Sequence, residues 1–121
     1  MLTTLGRNFG FEVDTDASNV SALPGVARVG DTLVQFQGAA LTYTDMCVFD
    51  TNIDRYQNVL LYLCRGADGG VDMTRAVSDV AGSQRALTLP NMIDSSGYPL
   101  GMFTFYKQDA TTIDLKIYYQ I

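Results

Sequence analysis

Alternation of apolar and polar positions is clearest over residues 113–121. Ile113, Leu115, Ile117, Tyr119 and Ile121 share one parity, while Asp114, Lys116, Tyr118 and Gln120 share the other. A period of two is that of a strand with one apolar face and one mostly wet face. The run MFTFYK at 102–107 precedes it, separated by Gln108, Asp109, Ala110, Thr111 and Thr112, so the pattern predicts a strand pair framing a sheet. Residues 32–37 alternate in the same way, with Thr32, Val34 and Phe36 opposite Leu33, Gln35 and Gln37, between a Gly30-Asp31 turn and Gly38. Shorter strand candidates are 9–13 (FGFEV), 40–44 (ALTYT), 46–49 and 86–89, the last stopped by Pro90.

Other segments are less clear-cut. Residues 59–64 (VLLYLC) are almost continuously apolar, which suits a strand covered on both faces and equally a short buried helix. The glycines of 65–70 make positive φ inexpensive and predict a hairpin turn. In 71–80, Met73, Ala76, Val77 and Val80 recur at helical spacing while the β-branched content favours extension, and both readings stand. The stretch 14–24 (DTDASNVSALP) reads as a loop of about ten residues, and Asp94, Ser95, Ser96 and Gly97 mark another turn. Roughly seven to nine short strands predict an all-β fold, an antiparallel β-sandwich or barrel-like single domain with at most one short helix. Residues 1–8 are expected to form an N-terminal arm and 9–121 the β-rich body, since 121 residues suit one core.

Composition reinforces the strand reading. The acidic set is twelve Asp and one Glu, and the basic set holds only two Lys, so charge is carried by residues that favour turns over helices. The formal net charge is −5, and the eight cations are scattered singly. Nucleic acid needs clustered Lys and Arg to displace counterions, and an anionic membrane surface needs similar clusters, so neither is an expected partner. No apolar run reaches the roughly eighteen residues of a membrane helix, and the N-terminus lacks the pattern of a secretory signal. Synthesis and assembly in a cytoplasm are expected.

Histidine is absent, which removes the commonest general base and every Ser-His-Asp or Cys-His arrangement within the chain. With twelve Asp some pair always falls near the spacing a glycosidase needs, so carboxylate pairs carry no specificity, and no enzymatic activity is expected. No phosphate-cradling glycine motif occurs; Gly66, Gly69 and Gly70 have the wrong spacing and no following Lys. The oxygen-rich run of Asp14, Thr15, Asp16, Ser18 and Asn19 resembles a calcium loop at first. It has Asn19 at the sixth position and Gly25 at the twelfth, where an EF-hand needs Gly and Glu, so a solvated turn is expected. The group Asp45, Asp50 and Asp54 is no more specific. Cys47 and Cys64 fit no zinc pattern and are expected as buried reduced thiols, a disulfide between adjacent strands being the alternative. No cofactor or metal is expected. Seven tyrosines, among them Tyr43, Tyr62 and Tyr118, could line a sugar platform, but tryptophan is absent and tyrosine equally suits cores and protein interfaces.

The arm LTTLGR at 2–7, the Asp- and Gly-rich loops, the absence of His and Trp, and the closing run TFYKQDATTIDLKIYYQI from Thr104 together resemble the small accessory structural proteins of tailed-bacteriophage virions. These are capsid decoration or cement proteins and small head or tail components. The resemblance implies a non-enzymatic protein of the virion, a homo-oligomer and most often a trimer, that binds capsid or tail subunits through its arm and its strand edges. The expected partner-binding residues are Leu2, Leu5, Arg7, Phe9, Tyr118 and Ile121. The rival reading is a carbohydrate- or receptor-binding β-module.

Overall fold

Gly30 adopts φ of 64°, a left-handed value that glycine takes at little cost, and this lets Val29 pair directly with Thr32 across a two-residue turn. The computed structural model describes residues 9–66, 70–93 and 96–121. Its strands are β1 (Phe11–Asp14), β2 (Asn19–Ala22), β3 (Gly25–Val29), β4 (Thr32–Phe36), β5 (Ala39–Thr42), β6 (Arg55–Arg65), β7 (Val71–Val77), β8 (Tyr98–Lys107) and β9 (Ile113–Gln120). One helical turn, α1 (Tyr43–Met46), follows β5, and a 3₁₀ turn, Gln84–Ala86, follows β7. All pairings are antiparallel, in sheets ordered β1-β2-β5, β3-β4 and β7-β6-β8-β9. The fold is therefore all-β and sandwich-like, as the alternation predicts.

The four-stranded sheet turns Val59, Leu61, Leu63, Leu100, Phe103 and Phe105 towards Phe9, Val20, Val29, Phe36, Tyr43 and Met46 from the first half of the chain. Each such side chain stabilises by roughly 1.5–3 kcal/mol when fully buried. Gly101 belongs to this face because a Cβ there would lie 2.4 Å from Cε2 of Phe11, whose ring packs edge-on to Phe103 at 4.9 Å. The opposite face carries a smaller cluster of Leu60, Tyr62, Ala76 and Met102. Residues 87–93 lie over it: Asn58 donates to the Thr88 carbonyl at 3.0 Å, and the Ile93 amide donates to the Tyr62 hydroxyl at 3.2 Å.

Three local expectations are corrected, and the open reading of 71–80 is settled. The stretch 14–24 is not all loop, because Val20 and Ala22 alternate with Asn19 and Ser21 and enter the core as β2. Four residues are too few for that alternation to stand out among polar neighbours. Residues 71–80 begin as strand β7, where seven consecutive pairings with β6 outweigh the helical spacing. Residues 43–46 leave the extended path because the Thr42 hydroxyl accepts the Asp45 amide at 3.2 Å, capping a helical turn. Residues 86–89 are not a strand; their backbone follows the 3₁₀ turn across the outer face.

Candidate functional site

Three exposed apolar side chains, Ile117, Tyr118 and Tyr119, lie together on β9. It pairs with β8 alone among the described strands, so it forms a border of the four-stranded sheet. Its register shifts once: Ile117 lies opposite Thr104 and Leu115 opposite Phe105, so Lys116 is an extra residue in a bulge. Paired residues share a face, and the bulge reverses the faces of everything beyond it. Leu115 points with Phe105 into the core, whereas Ile117 and Tyr119 point with Thr104 and Met102 to the outer face. The single apolar face expected for 113–121 is thus broken in two. Ile117 is 58% exposed and Tyr119 52%, with Ile121 beyond them at 56%. Lys116 sets its ammonium over the Tyr106 ring, 5.1 Å from the centroid, at the charged end of this apolar stretch.

Near the start of β9, a groove of about 540 Å³ opens between the β1–β2 turn and the β8–β9 turn. Thr15 and Ser18 stand on one side and Thr111, Thr112 and Asp114 on the other, with Tyr43 at their junction. A neighbouring hollow of about 210 Å³ shares Ser18, Tyr43 and Thr111. Both turns are braced by carboxylates. Asp14 accepts the amides of Asp16 and Ala17 at 3.0 and 3.1 Å. Asp109 accepts the amides of Thr111 and Thr112 at 2.9 and 2.8 Å, and these bonds hold its carboxyl below the usual range. Tyr43 is 4% exposed and packs on Phe105 with ring centroids 5.3 Å apart. Among the described residues, its hydroxyl is the one buried side-chain polar atom without a hydrogen-bond partner. Burial pushes the phenol pKa up, and Asp14, Asp114 and Tyr118 push the same way.

The predicted contact residues separate. Leu2, Leu5 and Arg7, with the expected arm 1–8, lie outside the described residues. Phe9 is corrected: it is 4% exposed, its amide donates to the Pro24 carbonyl at 3.0 Å, and its ring packs on Phe36 and Tyr98, so it is a core residue and not a contact. Tyr118 and Ile121 are at the border, Tyr118 stacked on Phe103 at 5.7 Å and 43% exposed. Ile117 and Tyr119 were not read as contact residues because strict alternation puts them in the core. Lys116 itself keeps to the wet parity, so nothing in the alternation marks the bulge.

The acidic clusters serve as local braces. Besides the Asp14 turn, Asp50 accepts the Asn52 amide at 2.8 Å, and Asp54 accepts the Tyr106 hydroxyl. Among the described residues no three His, Cys, Asp or Glu side chains gather as metal ligands would. Cys47 and Cys64 are free thiols, the first buried and the second partly so. No protein-family model matches the chain, and no curated protein or solved structure matches it either.

Proposed function

We propose that this chain is a non-enzymatic structural component of a phage virion, a capsid decoration protein that joins neighbouring subunits through the β9 border. The observation that supports this reading is the uncharged run of Ile117, Tyr118, Tyr119, Gln120 and Ile121, exposed along the edge of a sheet. Sheet edges of proteins that stay monomeric are normally blunted by charge, proline or a covering element. Beyond Lys116 this border carries neither charge nor proline, and its outward side chains are two isoleucines and a tyrosine. A strand added here satisfies the backbone, and the flanking side chains supply the apolar contact. A stable interface buries about 1,200–2,000 Å² in total, so the contact extends beyond the strand itself. The virion assignment comes from the resemblance of the loops and the closing run.

The test is co-sedimentation with capsids assembled from the capsid protein encoded beside this gene. The wild-type chain should sediment with the particles, and the double substitution Ile117→Lys, Tyr119→Lys should weaken attachment by roughly thirtyfold with an unchanged circular-dichroism spectrum. Equal attachment of the double variant would remove β9 from the contact. No attachment of the wild-type chain would overturn the virion reading.

A further inference from the structure

We infer that the groove between the β1–β2 turn and the start of β9 is a binding site for a neutral saccharide, with the Tyr43 hydroxyl as a donor at its inner end. This goes beyond the assembly role and does not depend on it. The starting observation is the Tyr43 hydroxyl, enclosed and unpartnered. A buried hydroxyl without a partner is a net cost, and phenylalanine would pack against Phe105 equally well without it. A ligand in the groove that Tyr43 helps to line supplies the missing acceptor.

The lining narrows the ligand class. Thr15 and Ser18 bring hydroxyls able to donate and to accept, Thr112 brings another, and the Thr111 hydroxyl, which donates to Asp109 at 3.2 Å, is left to accept. Asp114 adds an acceptor, and Ile113 and Leu115 add an apolar strip suited to sugar C–H groups. A phosphate is disfavoured, since Lys116 is the one cation in the lining and the carboxylates of Asp14 and Asp114 both act on Tyr43. The volume of about 540 Å³ falls within the range of small-molecule sites. The bonds from Asp14 and Asp109 hold both walls in place before a ligand arrives, which lowers the ordering cost of binding.

The experiment titrates ¹⁵N-labelled protein with glucose, galactose, mannose and N-acetylglucosamine, their disaccharides, inorganic phosphate and an extended neutral peptide. The expected result is saturable shifts for a sugar at the amides of Thr15, Ser18, Thr111 and Thr112, with none for phosphate. Tyr43→Phe should weaken that sugar by roughly five- to tenfold, the effect of one hydrogen bond, while melting at the same or a higher temperature without ligand. Lack of saturation by every sugar, peptide binding in place of sugar binding, or equal sugar affinity in Tyr43→Phe would each overturn the inference. A clearly lower melting temperature for Tyr43→Phe would also overturn it, because the hydroxyl would then have a partner inside the protein. The Ile117→Lys, Tyr119→Lys variant should keep its sugar affinity, so failure of the capsid contact and failure of this site are separately visible.

Discussion

Gln57 is 1% exposed and joins three segments: its amide donates to the Ser78 carbonyl at 2.9 Å, and its carbonyl accepts the Val48 amide at 2.7 Å. Neighbouring Asn58 reaches in the other direction, to Thr88 and to the Thr104 hydroxyl. Nothing in the local sequence marks either residue, because a glutamine bridging two loops looks the same in one dimension as a solvated one. The cysteines behave differently from each other for a similarly non-local reason. Cys47 donates to the Tyr43 carbonyl at 3.0 Å, and burial pushes its thiol pKa up to about 11. Thiolate is the reacting species, so at pH 8 Ellman's reagent should modify Cys64 at least about tenfold faster than Cys47. Equal rates would show that Cys47 is not shielded as the packing implies.

At the scale of elements, the hairpin between β8 and β9 shows how a turn is fixed by one side chain. Asp109 accepts three hydrogen bonds from Thr111 and Thr112, two from amides and one from a hydroxyl, which is why its carboxyl lies below the ordinary range. A group with a depressed folded pKa stabilises fully above its unfolded pKa, about 3.9 for Asp, and loses that contribution as pH falls through the folded value. Asp109→Ala should therefore be less stable than wild type at pH 7, with the difference closing in strong acid. A difference independent of pH, measured by urea unfolding, would mean that the charge does not hold the turn. Such elements vary in how legible they were. β4 and β9 follow from alternation, the second half of β8 from its apolar and aromatic run, and the antiparallel pairing of β6 with β7 from the glycines between them. β2 was hidden because its core contribution is two small side chains, and β7 because Met73 and Ala76 are at helical spacing yet point to opposite faces of a sheet.

For the whole molecule, the decisive feature is that one sheet has a core-facing side shared with the other two sheets, an outer side only partly covered, and an apolar border. Because residues 117–121 carry no charge, association through this border should depend little on ionic strength. In the proposed reading, attachment to capsids should be the same in roughly 0.05 M and 0.5 M salt by co-sedimentation; loss of attachment at high salt would point to a charged contact elsewhere. The exposure of Tyr118 and Ile121 was legible, while the burial of Phe9 was not, since an aromatic side chain among turn residues looks alike whether it points outward or folds inward. The groove was less legible still: Thr15, Tyr43 and Thr111 are far apart in sequence and meet only because the β1–β2 turn and α1 lie against the start of β9. The amino-acid order alone determined strand character, most turns and the excess of acidic charge, because these depend on period and on residues within a few positions. Tertiary structure decided which face each strand end presents and which polar groups lack a partner, because a one-residue bulge at Lys116 and the closing of two sheets on one core are set by contacts between distant segments.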